Sequence, residues 1–179
     1  NSLAAVVLGL EMGLSFHTIQ RGILLYNGVR RRFDIKGLFN DILIADDYAH
    51  HPTEVKATLN AARAGWERRI ITVFQPHLFS RTKEFYNDFA NALELSDIVI
   101  LTNIYPAREK PIKGVTSYLI YNELIKKMKK NCILVENLDG LEMILDNLIK
   151  PGDLLLTMGA GNIWRYNDSY VKHIKNIHD

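Results

Sequence analysis

Short runs of apolar residues alternate with longer amphipathic stretches over most of the chain. The apolar runs predict five β-strands, at 41–45, 69–74, 97–101, 132–136 and 153–158. The amphipathic stretches predict helices at 52–65, 80–95, 116–130, 138–149 and 162–176. Because the strands are apolar throughout, we expect helices on both faces of the sheet. Strands that alternate with helices predict a doubly wound, Rossmann-like α/β fold with a mostly parallel sheet.

The start of the chain follows a different pattern. Apolar residues at helical spacing predict one helix over 2–12 and a second over 15–28, which Gly28 would end. We therefore predict a domain boundary near residue 30, which separates residues 1–30 from residues 31–179. The chain has no initiator methionine and no basic leader segment, so we expect it to begin inside a larger protein and not with a signal peptide.

The basic segment 29–37 has the pattern of a strand. We expect it to pair with 40–46 as an antiparallel hairpin that turns through residues 37–40. The predicted sheet then has one antiparallel edge strand. The three arginines of this segment, at 30–32, are typical of a solvated strand face.

Polar residues cluster directly after four of the predicted strands. The clusters are DDYAHH (46–51), QPHLFSR (75–81), NIYPAREK (103–110) and GAGN (159–162). Doubly wound sheets bind their ligands beyond the carboxyl ends of their strands. We therefore expect these four segments to line one edge of the sheet, although they are far apart along the chain.

The first cluster allows a purely structural and a functional interpretation. Asp46 or Asp47 can be a polar strand end, and His50 can be an exposed neighbour of a helix cap. Alternatively, Asp47 accepts hydrogen bonds from ligand hydroxyls and His50 donates to an anion. Adjacent histidines on an extended chain point in different directions, and the chain has no HExxH or CxxC motif, so we predict no metal site here.

The second cluster precedes a predicted helix. His77 and Arg81 lie where free backbone amides and the helix dipole favour an anion, and the fork of an arginine can bind two oxygens. The simpler alternative is that Ser80 or Thr82 caps the helix, with Glu84 in the first turn.

The last two clusters are weaker signals. NIYPAREK can be a solvated surface loop, and the glycines of GAGN can serve close packing as well as anion binding. None of the clusters predicts a reaction by itself. The chain has no acid and base at a spacing typical of catalysis and no phosphate-binding GxxxxGK[ST] loop.

Composition excludes several classes of protein. Apolar residues make up 47% of the 179 residues and charged residues 23%, which is typical of a globular domain. The net charge of +2 gives no reason to expect nucleic acid or a membrane surface as a partner. The single cysteine, Cys132, excludes an internal disulfide and lies in an apolar run, which indicates a buried structural thiol.

Taken together, the motifs resemble the Mur ligase family of bacterial peptidoglycan synthesis. The resemblance rests on NSLAA, GVRRRF, DDYAHHPTEV, FQPHLFSRT, NIYPAREKP and GAGNI in this order, and it covers nearly the whole chain. It implies a cytoplasmic ligase that uses ATP to join L-alanine to UDP-N-acetylmuramate through an acyl phosphate. Residues 1–30 would be the tail of the central ATPase domain and residues 31–179 the C-terminal domain. The phosphate-binding loop and most Mg²⁺ ligands would lie in the missing domains, so the resemblance implies that this fragment is inactive alone.

The resemblance also implies roles for the residues after the first strand. Asp47 is similar to the aspartate that binds the ribose of the nucleotide. Tyr48 and His50 would be catalytic residues that face the reacting carboxylate and phosphate. Arg32 is a weaker candidate for the domain hinge or the phosphate side.

The remaining roles concern the amino acid substrate. His77 and Arg81 would hold the carboxylate of L-alanine, and Gly159 and Asn162 would border the same pocket. Leu78 stands where many members have an arginine, so Arg81 would hold this carboxylate alone or share it with a backbone amide.

Two other functions compete with this one. A murein-tripeptide recycling ligase shares part of the first motif, but FQPHLFSRT favours the addition of a single alanine. A non-catalytic α/β module that binds a nucleotide or a protein is the candidate from another class.

Overall fold

The computed structural model describes residues 2–26, 28–128 and 131–178. The chain divides into two compact units, residues 1–30 and residues 31–179. The first unit contains α1 (Ser2–Glu11) and α2 (Phe16–Leu24). The second unit contains β1 (Asp34–Phe39), β2 (Ile42–Asp47), α3 (Pro52–Gly65), β3 (Arg69–Phe74), α4 (Phe79–Leu93), β4 (Ile98–Thr102), α5 (Tyr118–Met128), β5 (Cys132–Val135), α6 (Leu141–Leu148), β6 (Asp153–Met158) and α7 (Ile163–His178).

The second unit is built on a six-stranded sheet of order β1-β2-β6-β3-β4-β5. β1 is antiparallel to β2, and every other neighbouring pair is parallel. The mostly parallel sheet with one antiparallel edge strand is therefore confirmed. In none of the described helices is there a segment long and apolar enough to span a membrane.

Helices cover both faces of this sheet. Alternate strand residues point to opposite sides, so Leu43 and Ala45 join one core while Ile42 and Ile44 join the other. The first core contains residues of α3, α4 and α5, and the second contains residues of α6 and α7. Burial on both sides explains why the strands read as apolar throughout.

The hairpin differs from the prediction. β1 begins at Asp34 and not at residue 29, and the chain turns at Asn40 and Asp41, whose φ angles are 47° and 60°. These left-handed values are tolerated best by Asn, Asp and Gly and make the tight turn between the two strands. Gly37 lies inside β1, where the register with β2 shifts after Ile35.

Several helix boundaries also differ. α2 ends at Leu24, so Gly28 lies beyond it and does not end it. The segment 138–149 is a 3₁₀ turn over 138–140 followed by α6. α5 begins at Tyr118, two residues later than predicted, and residues 129 and 130 at its predicted end lie outside the described residues.

Candidate functional site

The four polar segments meet at the carboxyl edge of the sheet. The Gly159 amide donates to the carbonyl of Asp47 at 3.2 Å, and the Gln75 amide donates to the carbonyl of Met158 at 2.9 Å. His77 and Tyr105 form a short parallel bridge that extends β3 and β4. The structure thus brings together the loops that follow β2, β3, β4 and β6.

Asp47 organises the loop that follows β2. One carboxylate oxygen accepts the amide of Ala49 at 2.7 Å, and the other accepts the amide of Phe33, also at 2.7 Å. Each oxygen keeps a further lone pair, so the carboxylate can still accept a ligand hydroxyl. Asp47, Tyr48 and Arg32 line a cleft of about 190 Å³ at the start of α3.

His50 and His51 point to different places, as their sequence positions predicted. The Nδ1 atom of His50 lies 3.0 Å from the Tyr48 carbonyl and 3.2 Å from a Glu54 carboxylate oxygen. Both partners are acceptors, so Nδ1 carries the proton and Nε2 is left for another partner. The His50 ring lies 5.8 Å from the ring of His77 and 5.1 Å from that of Tyr48.

His51 starts α3. Its Nδ1 accepts the amide of Thr53 at 3.4 Å, while Glu54 accepts the amides of His50 at 3.0 Å and His51 at 3.1 Å. These bonds form a capping box with Pro52 in the first turn. Burial is the largest single influence on Glu54 and opposes its charged form, but the two amides and the nearby histidines together outweigh it and hold the carboxyl pKa below the usual value.

His77 lies beside Arg81 and packs on Tyr105. The His77 and Tyr105 rings are stacked at 5.8 Å, and the Arg81 guanidinium donates to the His50 carbonyl at 3.4 Å. Burial, together with the positive charges of Arg81 and His50, lowers the pKa of His77, and Glu109 opposes this. Among the described residues, no hydrogen-bond partner is found for the buried Nδ1 atom of His77. Arg81 is thus the permanent charge of this pair, and His77 is a neutral donor near neutral pH.

The amino end of α4 is occupied by a side chain from another loop. Glu109 accepts hydrogen bonds from the amide of Ser80 at 3.0 Å and from its hydroxyl. The expectation that Ser80 or Thr82 caps this helix is wrong, because the Thr82 hydroxyl donates to the Leu78 carbonyl at 2.9 Å and the cap residue is Leu78. A ligand anion therefore does not find this amide free.

The GAGN turn packs closely against Gln75. A Cβ atom on Gly159 would lie 2.7 Å from the Gln75 carbonyl, and one on Gly161 would lie 2.6 Å from the Tyr105 ring. Gln75 donates to the Asn162 side chain at 2.9 Å and accepts the amide of Ile163 at 3.2 Å. Close packing thus explains the two glycines, and the start of α7 is held from β3.

Sequence reasoning missed the pair that Arg31 forms with Asp46. Asp46 is fully buried, and its carboxylate accepts the Nε of Arg31 at 3.1 Å and the Thr157 hydroxyl at 2.7 Å. Burial raises the pKa of Asp46, against the effect of these two partners. Arg32, the arginine that was singled out, is exposed. The sequence does not indicate which of the three successive arginines points inward.

The described residues contain no group of three or more His, Cys, Asp and Glu side chains placed to hold a metal ion. The hydrogen-bond donors that His50, His77 and Arg81 bring to this edge are two imidazoles and a guanidinium. Such groups suit anionic oxygens, whereas Mg²⁺ prefers carboxylate, carbonyl and phosphate oxygens.

Fold and site together define a Rossmann-like domain that carries cationic and hydrogen-bonding side chains at the carboxyl edge of its sheet. The family model described as "Mur ligase, glutamate ligase domain" matches residues 31–161, and the chain belongs to the Mur ligase family. The family resemblance and the fold class predicted from the sequence are thereby confirmed.

Individual relatives match over a wider range of the chain. The UDP-N-acetylmuramate–L-alanine ligase of Geobacter sp. (strain M21) is 46% identical over 176 residues, which cover 98% of this chain and 38% of that protein. The chain thus spans well under half the length of this curated relative.

The solved structures that are similar to this one include two ligases. The crystal structure of the UDP-N-acetylmuramate–alanine ligase MurC from Thermotoga maritima matches with a TM-score of 0.82 at 28% identity, covering 98% of this chain and 37% of that one. A murein peptide ligase from Psychrobacter arcticus 273-4 matches with a TM-score of 0.68 at 23% identity, covering 98% and 36%, and shares the fold.

Proposed function

We propose that this chain is part of an ATP-dependent ligase that joins L-alanine to UDP-N-acetylmuramate in peptidoglycan synthesis. The observation that carries the proposal is the 46% identity, over 98% of the chain, to a relative with that name. Residues 31–179 are the C-terminal domain of this ligase, and residues 1–30 are the tail of its central ATPase domain. We further propose that the enzyme acts in the bacterial cytoplasm.

The positions of the side chains support a division of roles along the edge. Asp47 binds the ribose of ATP, because each carboxylate oxygen keeps an acceptor site beside the cleft. Tyr48 and His50 face the reacting carboxylate and phosphate, since Tyr48 is 44% exposed and the Nε2 of His50 is free of its local partners.

The amino acid is held on the other side of His50. His77 and Arg81 bind the carboxylate of L-alanine, with the charge supplied by Arg81 and a hydrogen bond supplied by His77. Glu109 already occupies the Ser80 amide, so this carboxylate depends on side chains and does not share that amide. Gly159 and Asn162 border the pocket, and their contacts with Gln75 fix its wall.

The chemistry follows from the charges that develop. Transfer of a phosphoryl group from ATP to the muramic acid carboxylate gives an acyl phosphate, which the alanine amine attacks. The tetrahedral intermediate then loses phosphate and leaves the amide. Negative charge grows on phosphate and carbonyl oxygens during both steps, and Tyr48 and His50 would stabilise it. Mg²⁺ and most ATP contacts belong to the domains absent from this chain, so residues 1–179 alone are expected to be inactive.

Assay of the full-length protein tests the proposal. The protein is supplied with ATP, UDP-N-acetylmuramate and either L-alanine or the murein tripeptide, and ADP release and the amide product are measured. Turnover with L-alanine supports the proposal. Turnover with the tripeptide alone would assign the recycling reaction, and no ATP-dependent turnover with either acceptor would favour a binding module.

A further inference from the structure

Arg31 joins two segments of the carboxyl edge that are distant in sequence. Its Nε donates to the Asp46 carboxylate at 3.1 Å, its Nη2 donates to the carbonyl of Gly159, and its guanidinium lies 4.9 Å from the ring centre of Tyr48. We propose that Arg31 is a positioning residue that fixes Tyr48 relative to the Gly159 turn. The catalytic consequence rests on the proposed ligase function, whereas the structural consequence does not.

The backbone of Arg31 contributes to the same contact. Its carbonyl accepts the amide of Tyr48 at 2.7 Å, and its amide donates to the Asp34 carboxylate at 3.3 Å. The φ angle of Arg31 is 61°, a left-handed conformation that is uncommon for a residue with a long side chain. Main chain and side chain therefore hold Tyr48 from two directions.

The anchor of Arg31 is buried, and each of its carboxylate oxygens accepts a hydrogen bond. The Asp46 carboxylate is inaccessible to solvent and also accepts the Thr157 hydroxyl, which in turn accepts the side-chain amide of Asn167 at 3.0 Å. Asn167 lies on α7 and donates as well to the Ala45 carbonyl at 3.1 Å. The guanidinium is thus fixed to the interior of the sheet and not to a mobile surface group.

An arginine is required for this arrangement. Its planar fork directs two N–H groups to different acceptors and can stack on an aromatic ring at the same time. A lysine keeps the charge, but its single ammonium group cannot reproduce the two directed hydrogen bonds together with the stacking. Arg31→Lys therefore removes the positioning while it preserves the charge beside Asp46.

Arg69 provides a matched control at the opposite edge of the sheet. Its Nε donates to the buried Asp153 carboxylate at 2.8 Å, and its Nη2 donates to the Leu148 carbonyl at 3.0 Å. Arg69→Lys thus loses the same kinds of bonds at the amino ends of β3 and β6, far from Tyr48. Any general effect of disrupting a buried arginine–aspartate pair appears in both variants.

Hydrogen exchange measured by mass spectrometry on the full-length protein tests the positioning. In Arg31→Lys we expect faster exchange in peptides that contain residues 46–50 and 158–162. In Arg69→Lys we expect faster exchange near residues 148–153 instead. Unchanged exchange at 46–50 and 158–162, or an increase spread evenly over residues 31–179, would overturn the proposal.

Kinetics give the second measurement. Relative to Arg69→Lys, Arg31→Lys should lower kcat roughly 10- to 100-fold, because small displacements of reacting groups are costly. The alanine KM should change less than kcat does, since the alanine carboxylate is held by His77 and Arg81 and not by Arg31. Equal kcat values in the two variants would overturn the catalytic role. A wild-type protein that does not add L-alanine would reject the proposed function, while the exchange data would still decide the role of Arg31.

Discussion

His77 and Arg81 are neighbours with different electrostatic roles. Burial and the charges of Arg81 and His50 keep the pKa of His77 below its ordinary value, so near neutral pH its ring is mostly uncharged. Arg81 keeps its charge at any physiological pH. The charge that recognises a carboxylate therefore resides on Arg81.

Arg81→Ala in the full-length enzyme should raise the alanine KM more than the ATP KM. A hydrogen bond between charged groups contributes about 1.5–3 kcal/mol, which corresponds to roughly a 10- to 100-fold increase. Steady-state kinetics with each substrate varied in turn measure the effect. Equal increases in both KM values would contradict the assignment of Arg81 to the alanine carboxylate.

Glu109→Gln should lower the pKa of His77 further, because the Glu109 carboxylate is the partner that opposes the lowering. The fraction of protonated His77 then falls at every pH near its midpoint. NMR titration of the histidine rings measures this. Glu123→Gln is the matched control, since Glu123 pairs with Lys126 on α5. An unchanged or raised pKa of His77 in Glu109→Gln would show that Glu109 does not act on this ring.

Sequence alone indicated many residues of the edge but not their partners. His50, His77 and Arg81 were found because they follow predicted strands, and the carboxyl-edge rule needs only strand order along the chain. Tyr48 was singled out only through the resemblance to the Mur ligase family. Glu109 and Arg31 were missed because both lie in charged segments whose composition is typical of solvent-exposed surface. Their contacts depend on which loops become neighbours across the sheet, and local pattern does not contain that information.

At the scale of the element, the start of α3 shows how the site and the scaffold are connected. Glu54 accepts the amides of His50 and His51, and the same carboxylate lies 3.2 Å from the Nδ1 of His50. The capping box that begins the helix thus also orients the imidazole proposed to act in catalysis. The sequence alone assigned no firm role to His51, and in the structure it caps α3.

Glu54→Ala should destabilise the protein by about 1 kcal/mol, which is typical for loss of a helix cap and corresponds to about 2–4 °C in Tm. The folded-state pKa of Glu54 is lowered. Its contribution is therefore complete above the unfolded-state value and is lost as pH falls through the folded-state value. Thermal unfolding of both proteins across the acid range tests this, with Glu54→Gln as a control that keeps an acceptor. A difference in Tm that does not shrink in acid would contradict the role of the charge.

Prediction of the strands and helices succeeded where the pattern of apolar and polar residues was unambiguous. Uniformly apolar strands and amphipathic helices gave the parallel sheet and its helical layers. The hairpin was displaced because glycine is the usual marker of a turn, whereas Asn40 and Asp41 adopt the left-handed conformation here and Gly37 serves a register shift. Whether the chain turns at Gly37 or at Asn40 and Asp41 depends on the register between β1 and β2, and tertiary packing decides that register.

At the scale of the whole molecule, the two units differ in what they bury. Both core clusters consist of residues that follow position 30, from Phe33 to Ile174. In the first unit, Leu3, Leu24 and Leu25 are 81%, 77% and 75% exposed. Its helices have 10 and 9 residues, which is shorter than the roughly 12–15 residues at which isolated helices become marginally stable.

Removal of residues 1–30 should therefore leave the remaining chain folded. We expect residues 31–179 to unfold in one cooperative transition, with a Tm within about 2 °C of that of residues 1–179. Such a difference in Tm corresponds to a change of less than about 1 kcal/mol in the free energy of unfolding. A peptide of residues 1–30 should show little helix by circular dichroism, because so short a chain buries too little surface to fold alone.

Truncation before α7 is the matched control for this deletion. It removes Ile163, Tyr170 and Ile174 from the second core, so the truncated chain should not fold. If deletion of residues 1–30 lowered the Tm by more than about 5 °C, or abolished folding, the core of residues 31–179 would not be self-sufficient. The boundary at residue 30 would then separate two parts of one folding unit, and the assignment of residues 1–30 to a different domain would be wrong.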